Sequence, residues 1–235
     1  MDLPHKMDVP NKRLPQAGRL RQAGFRLRLW WPAKLLGITL GMTVFFIAYF
    51  RLLQHPLYPV TIMPLTAVDR LIGFSPEWLP LYFSLWFYVS LAPALMIDRR
   101  ELVSYGLAAV AISVVGLAIF LFWPTAVPPL DVDWSQHPGF AFLKSVDATG
   151  NACPSLHVAF AVFTAVWFDR LLRQMGMGRP FRALNGLWCT GILYSTLATR
   201  QHVSLDLLAG AALGATVAGV HLHWLRTHQR QLKRR

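Results

Sequence analysis

His157, in the run Pro154-Ser155-Leu156-His157, and His202 with Asp206, in Thr199-Arg200-Gln201-His202-Val203-Ser204-Leu205-Asp206, are the side chains of this sequence best suited to chemistry. An imidazole serves as nucleophile or proton carrier near neutral pH. A carboxylate four residues on can accept the hydrogen bond of one ring nitrogen, fix the tautomer and leave the other nitrogen free to attack or to move a proton. Arg200 stands off the helical face of His202, and in a loop its planar fork can hold two phosphate oxygens. Pro154 suits a first helical position, which predicts the backbone N–H groups of Ser155, Leu156 and His157 at a helix N-terminus that attracts phosphate. The combination predicts a site for phosphoryl transfer. Taken singly, each residue has an ordinary reading: an interfacial histidine, Asp206 as a dipole partner for its helix, Arg200 reaching to lipid headgroups. His5, His55, His137, His221, His223 and His228 are read as such interfacial side chains.

The elements that must position these residues are set by the solvent. Hydrophobic residues make up 54% of the chain and charged ones only 14%, which points to a membrane as surroundings. Windows long enough to cross a hydrocarbon core of ~30 Å as helix occur at 33 to 53, 77 to 97, 102 to 123, 152 to 172, 181 to 199 and 203 to 225. The expected fold is therefore all-α, a polytopic integral membrane protein of six transmembrane helices. Asp169, Arg170 and Arg173 crowd the fourth window, and Asn185 interrupts the fifth. The first window is too long, and lacks the small-residue cleavage site, for a secretory signal peptide, so it is expected to be retained.

Charge orients the spans. The organisation predicted is a basic, poorly ordered cytoplasmic tail over residues 1 to 32, a single membrane domain over 33 to 225, and a basic cytoplasmic tail over 226 to 235. The first tail carries Lys6, Lys12, Arg13, Arg19, Arg21, Arg26 and Arg28, a pattern that favours an orienting, lipid-attracted segment over nucleic-acid binding. With both termini in the cytoplasm, Arg99, Arg100, Arg170, Arg173, Arg179 and Arg182 fall in cytoplasmic turns, as the positive-inside pattern requires. Both histidine segments then reach the extracytoplasmic face, in all expectation that of the plasma (inner) membrane.

Gly37-Ile38-Thr39-Leu40-Gly41 and Gly210-Ala211-Ala212-Leu213-Gly214 have the small-xxx-small spacing of close helix packing. Residues 65 to 72 suit either a short interfacial helix or a connecting loop. Cys153 and Cys189 are expected to be free thiols, and no Cys/His cluster has the spacing of a zinc site.

These residues resemble the type 2 phosphatidic acid phosphatase superfamily of six-helix membrane phosphatases and phosphotransferases. Pro154-Ser155-Leu156-His157 matches its Pro-Ser-x-His element. Ser195-Thr196-Leu197-Ala198-Thr199-Arg200-Gln201-His202 followed by Asp206 is closer to the branch of inositol phosphorylceramide synthase and sphingomyelin synthase. The likeness extends through Asp69 to Tyr82 and Phe122-Trp123-Pro124-Thr125, and covers most of the chain after about residue 60.

The resemblance implies His202 as the nucleophile that forms a phosphohistidine, Asp206 as its orienter and His157 as acid and then base. Ser155 and Arg200 bind the phosphate, and neither metal nor cofactor is required. The family's upstream Lys and Arg-Pro have no copy, since 122 to 130 holds no cation; Lys144 is a substitute, or else an ordinary loop cation. A phosphodiester, with less charge than a monoester, would need fewer cations. The expected partners are a lipid phosphate or phosphodiester and an alcohol or sphingolipid acceptor. Water and an alcohol are both admissible acceptors. The alternative is a catalytically silent lipid-binding or transport protein that keeps the fold.

Overall fold

Asp98 accepts the Arg100 N–H at 2.7 Å, Ser155 that of Val158 at 3.3 Å, and Thr66 forms a reciprocal capping box with Asp69. These short polar side chains satisfy orphan donors, and so decide where helices begin. The computed structural model describes residues 18–130, 132, 139–140 and 150–234. In chain order they form α1 (Arg19–Arg28), α2 (Trp31–Gln54), β1 (Thr61–Ile62), α3 (Ala67–Leu71), a 3₁₀ turn (Pro76–Trp78), α4 (Leu79–Phe83), α5 (Leu85–Leu95) and α6 (Arg99–Phe122). After them come β2 (Thr125–Ala126), α7 (Leu156–Gln174), α8 (Arg179–Ala198) and α9 (Ser204–Arg234).

All six predicted windows are helical, and the protein is an all-α membrane protein. Among the described residues four stretches are long and apolar enough to cross a membrane: Trp31–Gln54, Pro76–Leu95, Arg99–Phe122 and Ser204–Thr227. The expected count of six is not reached on these criteria. α7 holds Asp169, Arg170 and Arg173 in its 19 residues, and α8 begins with Arg179, Arg182 and Asn185. α7 carries such polarity because it is the inner helix, packed against α5, α6, α8 and α9, with Val158, Phe163 and Trp167 fully enclosed. The second window is broken near Ser84, whose hydroxyl donates to the Leu81 carbonyl at 2.6 Å and accepts the Trp188 indole N–H at 2.9 Å.

The two glycine motifs have different fates. A Cβ at Gly210 would collide with the carbonyl of Ser155, and one at Gly214 with that of Ala159, so α9 lies directly on the backbone of α7. Among the described residues nothing lies within 4 Å of a Cβ built at Gly37 or Gly41; these glycines line a cavity instead of a helix contact. Between α2 and α5 to α6 the packing is loose enough to leave that cavity open.

Part of the expected disordered tail is helix. α1 packs Ala23 on the core, buries Arg26, whose guanidinium donates to the Leu95 carbonyl at 3.3 Å, and receives Lys34 Nζ on the Arg26 carbonyl at 2.8 Å. Cations at helix C-termini satisfy orphan carbonyls and the dipole, which ties α1 to α5. Residues 1 to 17, with Lys6, Lys12 and Arg13, lie outside the described residues. At the other terminus α9 runs on past residue 225 to Arg234.

The bundle has two unlike ends. At one, Arg170 pairs with Glu101 at 2.8 Å and Arg182 with Asp169 at 2.6 Å. Nearby, His221 is not interfacial but buried, with Nε2 2.5 Å from the Ser104 hydroxyl and its ring 5.0 Å from that of Trp167. At the other end stand the N-termini of α7 and α9 and the C-terminus of α8, which carry both histidine motifs.

Candidate active site

At the head of α7, Pro154 precedes the cap and does not open the helix; Ser155 is the N-cap and Leu156 the first helical residue. One of the three predicted anion donors is lost by this shift. The Ser155 N–H donates to the Asp206 carbonyl at 3.0 Å, because Gly210 lets the first turn of α9 approach so closely. The N–H groups of Leu156 and His157 have no partner among the described residues and remain as orphan donors. The Ser155 hydroxyl is buried and accepts the Val158 N–H.

His202 lies ahead of α9, which begins at Ser204, and not on it as the four-residue spacing supposed. The pair still meets, since Nδ1 of His202 is 3.6 Å from Oδ2 of Asp206. That is an electrostatic contact, too long for a hydrogen bond. The orienting bond goes to the Ala152 carbonyl, 3.1 Å from Nδ1. A carbonyl only accepts, so Nδ1 carries the proton and Nε2 keeps the lone pair. Asp206 accepts the Val203 N–H at 3.0 Å, which leaves its charge beside the ring to stabilise a cationic imidazole. Asp206→Asn is expected to lower turnover by roughly tenfold, about 1.4 kcal/mol of transition-state stabilisation, without unfolding the protein. An unchanged rate under saturating substrate would make Asp206 only a helix-end charge.

His157, in the first turn of α7, brings its ring centroid to 5.9 Å from that of His202. Tyr82 stacks on it at 4.6 Å and Trp86 meets it edgewise at 5.5 Å, so the ring is held by apolar surfaces. Its Nε2 is buried with no partner among the described residues. Such an orphan calls for a polar partner, and a substrate oxygen is one. Both histidines line the head of a cavity of about 840 Å³ that runs between α2, α5 and α6. Asn151 and Gln201 line the same head, and the Asn151 amide donates to the Tyr49 hydroxyl.

Arg200 lies in the loop between α8 and α9, as expected, in a left-handed conformation with φ 53°. Gln201 lines the cavity and Arg200 does not, although Arg200 Nε is buried and without a partner among the described residues. Lys144 lies outside the described residues. Cys153 and Cys189 are buried and unbridged.

Two supports escaped the sequence reading. The cation-free segment at 122 to 130 contributes β2, which pairs in parallel with β1, Thr61 opposite Thr125, and bridges Thr125 to Asn151. Thr125 accepts the Ala152 N–H on its carbonyl at 3.0 Å and the Cys153 N–H on its hydroxyl at 2.7 Å, which aims the Ala152 carbonyl at His202. No side-chain pattern signals such a backbone contact. Asp69, in the single-turn helix α3, is the second: it accepts the Ser204 N–H at 2.7 Å, the Ser204 hydroxyl at 2.9 Å, and the Thr66 N–H and hydroxyl both at 2.8 Å. The Thr66-x-x-Asp69 spacing, a capping box, was its available signal.

Burial opposes ionisation of Asp69, but the hydrogen bonds from Thr66 and Ser204 outweigh it and hold the carboxyl below its usual range. A carboxylate with a depressed folded pKa stabilises the fold above its unfolded value of ~3.9, and that stability is lost as pH falls through the folded value. Asp69→Asn, which sets an amide against donors, is expected to cost ~1–3 kcal/mol at neutral pH. Thermal unfolding in detergent should show the gap between wild type and variant closing below about pH 4; a gap that does not narrow removes Asp69 from this role.

No curated protein and no solved structure matches the chain. The PAP2 superfamily matches residues 99–230, more than half of the sequence, and that stretch runs from the start of α6 into the last turns of α9 and includes Ser155, His157, Arg200, His202 and Asp206. With two histidines facing across the head of a cavity between membrane helices, and this match over the elements that carry them, the chain belongs to the PAP2 superfamily.

Proposed function

We propose that the protein transfers or hydrolyses the phosphate-containing headgroup of a membrane lipid through a phosphohistidine on His202. The observation that carries this reading is the pairing of His157 and His202, each with an Nε2 free of any described partner, at the head of a long apolar cavity. The cavity takes hydrocarbon, and the two rings take the phosphate. Nε2 of neutral His202 attacks phosphorus, the bond from phosphorus to the leaving oxygen breaks, and His157, which binds a proton when the anionic phosphate lies against its otherwise unpartnered Nε2, gives that oxygen its proton. Asp206 offsets the positive charge of the phosphorylated ring. His157, now neutral, then takes a proton from water or an alcohol as that oxygen attacks phosphorus; the N–P bond breaks and His202 recovers its lone pair.

The Leu156 and His157 N–H groups, the Ser155 hydroxyl and Arg200 are the phosphate-binding groups of this scheme. Arg200 two residues before His202, and the lack of a cation at 122 to 130, favour a phosphodiester and the inositol phosphorylceramide synthase and sphingomyelin synthase branch. Placing the arginine-rich end of the bundle in the cytoplasm gives both termini the same side and the site the extracytoplasmic face of the plasma membrane.

The test offers purified protein a panel of lipid phosphates and phosphodiesters, with and without an alcohol or ceramide, and identifies products by mass spectrometry. Inorganic phosphate or a freed headgroup marks hydrolysis, and a new phosphodiester marks transfer; either supports the reading. Silence with every donor overturns it in favour of a lipid-binding protein with the same fold.

A further inference from the structure

The cavity is deeper than one leaflet. It is lined on α6 from Phe120, whose ring meets Tyr49 at the Asn151 end of the cavity, to Arg99, a rise of about 32 Å at helical spacing, comparable to the whole hydrocarbon thickness of ~30 Å. A lipid whose phosphate sits at His157 and His202 fills roughly the near half. The far half ends on Trp30, Lys34 and Arg99, which also line it. We infer that this far end is a second lipid site, which holds the phosphate of an anionic glycerophospholipid from the opposite leaflet, with an acyl chain in the adjoining half of the groove.

Charge complementarity names the occupant. The Arg99 guanidinium lies 5.1 Å from the centroid of the Trp30 ring and makes no hydrogen bond or ion pair among the described residues. A guanidinium over an indole keeps its N–H groups free for two oxygens of one phosphate. Lys34 is buried and spends two of its three protons on the carbonyls of Arg26 and Ala94, at 2.8 and 2.6 Å, which leaves one. Trp30 adopts φ 57°, a left-handed conformation that a bulky residue takes at a cost and that often accompanies a binding role. Trp30 and Trp31 are both exposed, as indoles at the headgroup level are. A hydrocarbon tail alone has no use for these cations.

The full chain, reconstituted in nanodiscs of phosphatidylcholine with a minor fraction of phosphatidylglycerol, is released into a mass spectrometer and the retained lipids are counted. Wild type is expected to retain phosphatidylglycerol in preference to phosphatidylcholine. Arg99→Gln should weaken that preference by roughly tenfold, with Arg99→Lys between the two, because the charge stays and the fork goes. Arg100→Gln, a neighbour exposed outside the cavity, and His202→Ala, at the other end of the groove, should keep it. Arg99 is exposed, so its replacement spares the core. Equal retention of the two lipids by wild type overturns the site, as does an unchanged preference in Arg99→Gln. An equal loss in Arg100→Gln also overturns it, by reducing the effect to surface charge.

Discussion

Replacing His202 with alanine is expected to lower turnover by at least about 10³-fold while leaving the fold in place. The variant removes the nitrogen that would carry the phosphoryl group, and the cavity head then keeps only phosphate binding and His157. The structural cost is small by comparison. The Ala152 carbonyl loses its bond from Nδ1, a penalty of ~1–3 kcal/mol that water entering the space left by the ring would soften. His157→Ala should fall nearly as far, and the double variant little further, because two groups acting on one proton transfer and one bond are not additive. Lipid product formation, read beside the thermal midpoint of each variant, checks this. Activity within tenfold of wild type at an unchanged midpoint would remove His202 as nucleophile.

Gly210→Val is expected to abolish activity without altering a single polar side chain. Its Cβ would enter the Ser155 carbonyl, and a backbone group at a capped helix start cannot swing aside as a side-chain tip would. Overpacking of this kind costs ~1–3 kcal/mol even where side chains yield. The separation forced on α7 and α9 also breaks the bond from Ser155 N–H to the Asp206 carbonyl, and moves His157 relative to His202. The expected result is a lowered thermal midpoint with lost turnover. Gly219→Ala, where no described residue lies within 4 Å of the added carbon, should change neither. A Gly210→Val protein with wild-type midpoint and rate would refute the backbone contact between the two helices.

Much of this is legible in the amino-acid sequence alone. Membrane helices announce themselves because the bilayer admits only backbones that satisfy their own hydrogen bonds, so an apolar run of sufficient length has one structural solution. The same constraint makes ionisable groups at the edges of such runs informative, which singled out His157, His202 and Asp206. The fourth and fifth windows were harder to read. An inner helix such as α7 is solvated by protein and not by lipid, so it can keep Asp169, Arg170 and Arg173 and lose the hydropathy of a span. The glycine motifs show the same dependence on context: Gly210 and Gly214 meet a backbone, Gly37 and Gly41 meet a cavity, and the spacing is identical.

Residue types and their local spacing carry the kind of solvent, the helical periodicity and the chemistry available, because these depend on side chains and near neighbours. Long-range approach is a property of the packed chain. The Ala152 carbonyl reaches His202 from 50 residues away, the carboxylate of Asp69 reaches Ser204 from 135, and the partner of Nδ1 becomes a backbone oxygen with Asp206 standing behind it. Backbone carbonyls are the same at every position, so composition cannot mark the one that will orient a ring. Only the approach of α9 to α7, with β2 holding the chain before Pro154, decides which carbonyl it is and where the free nitrogen faces.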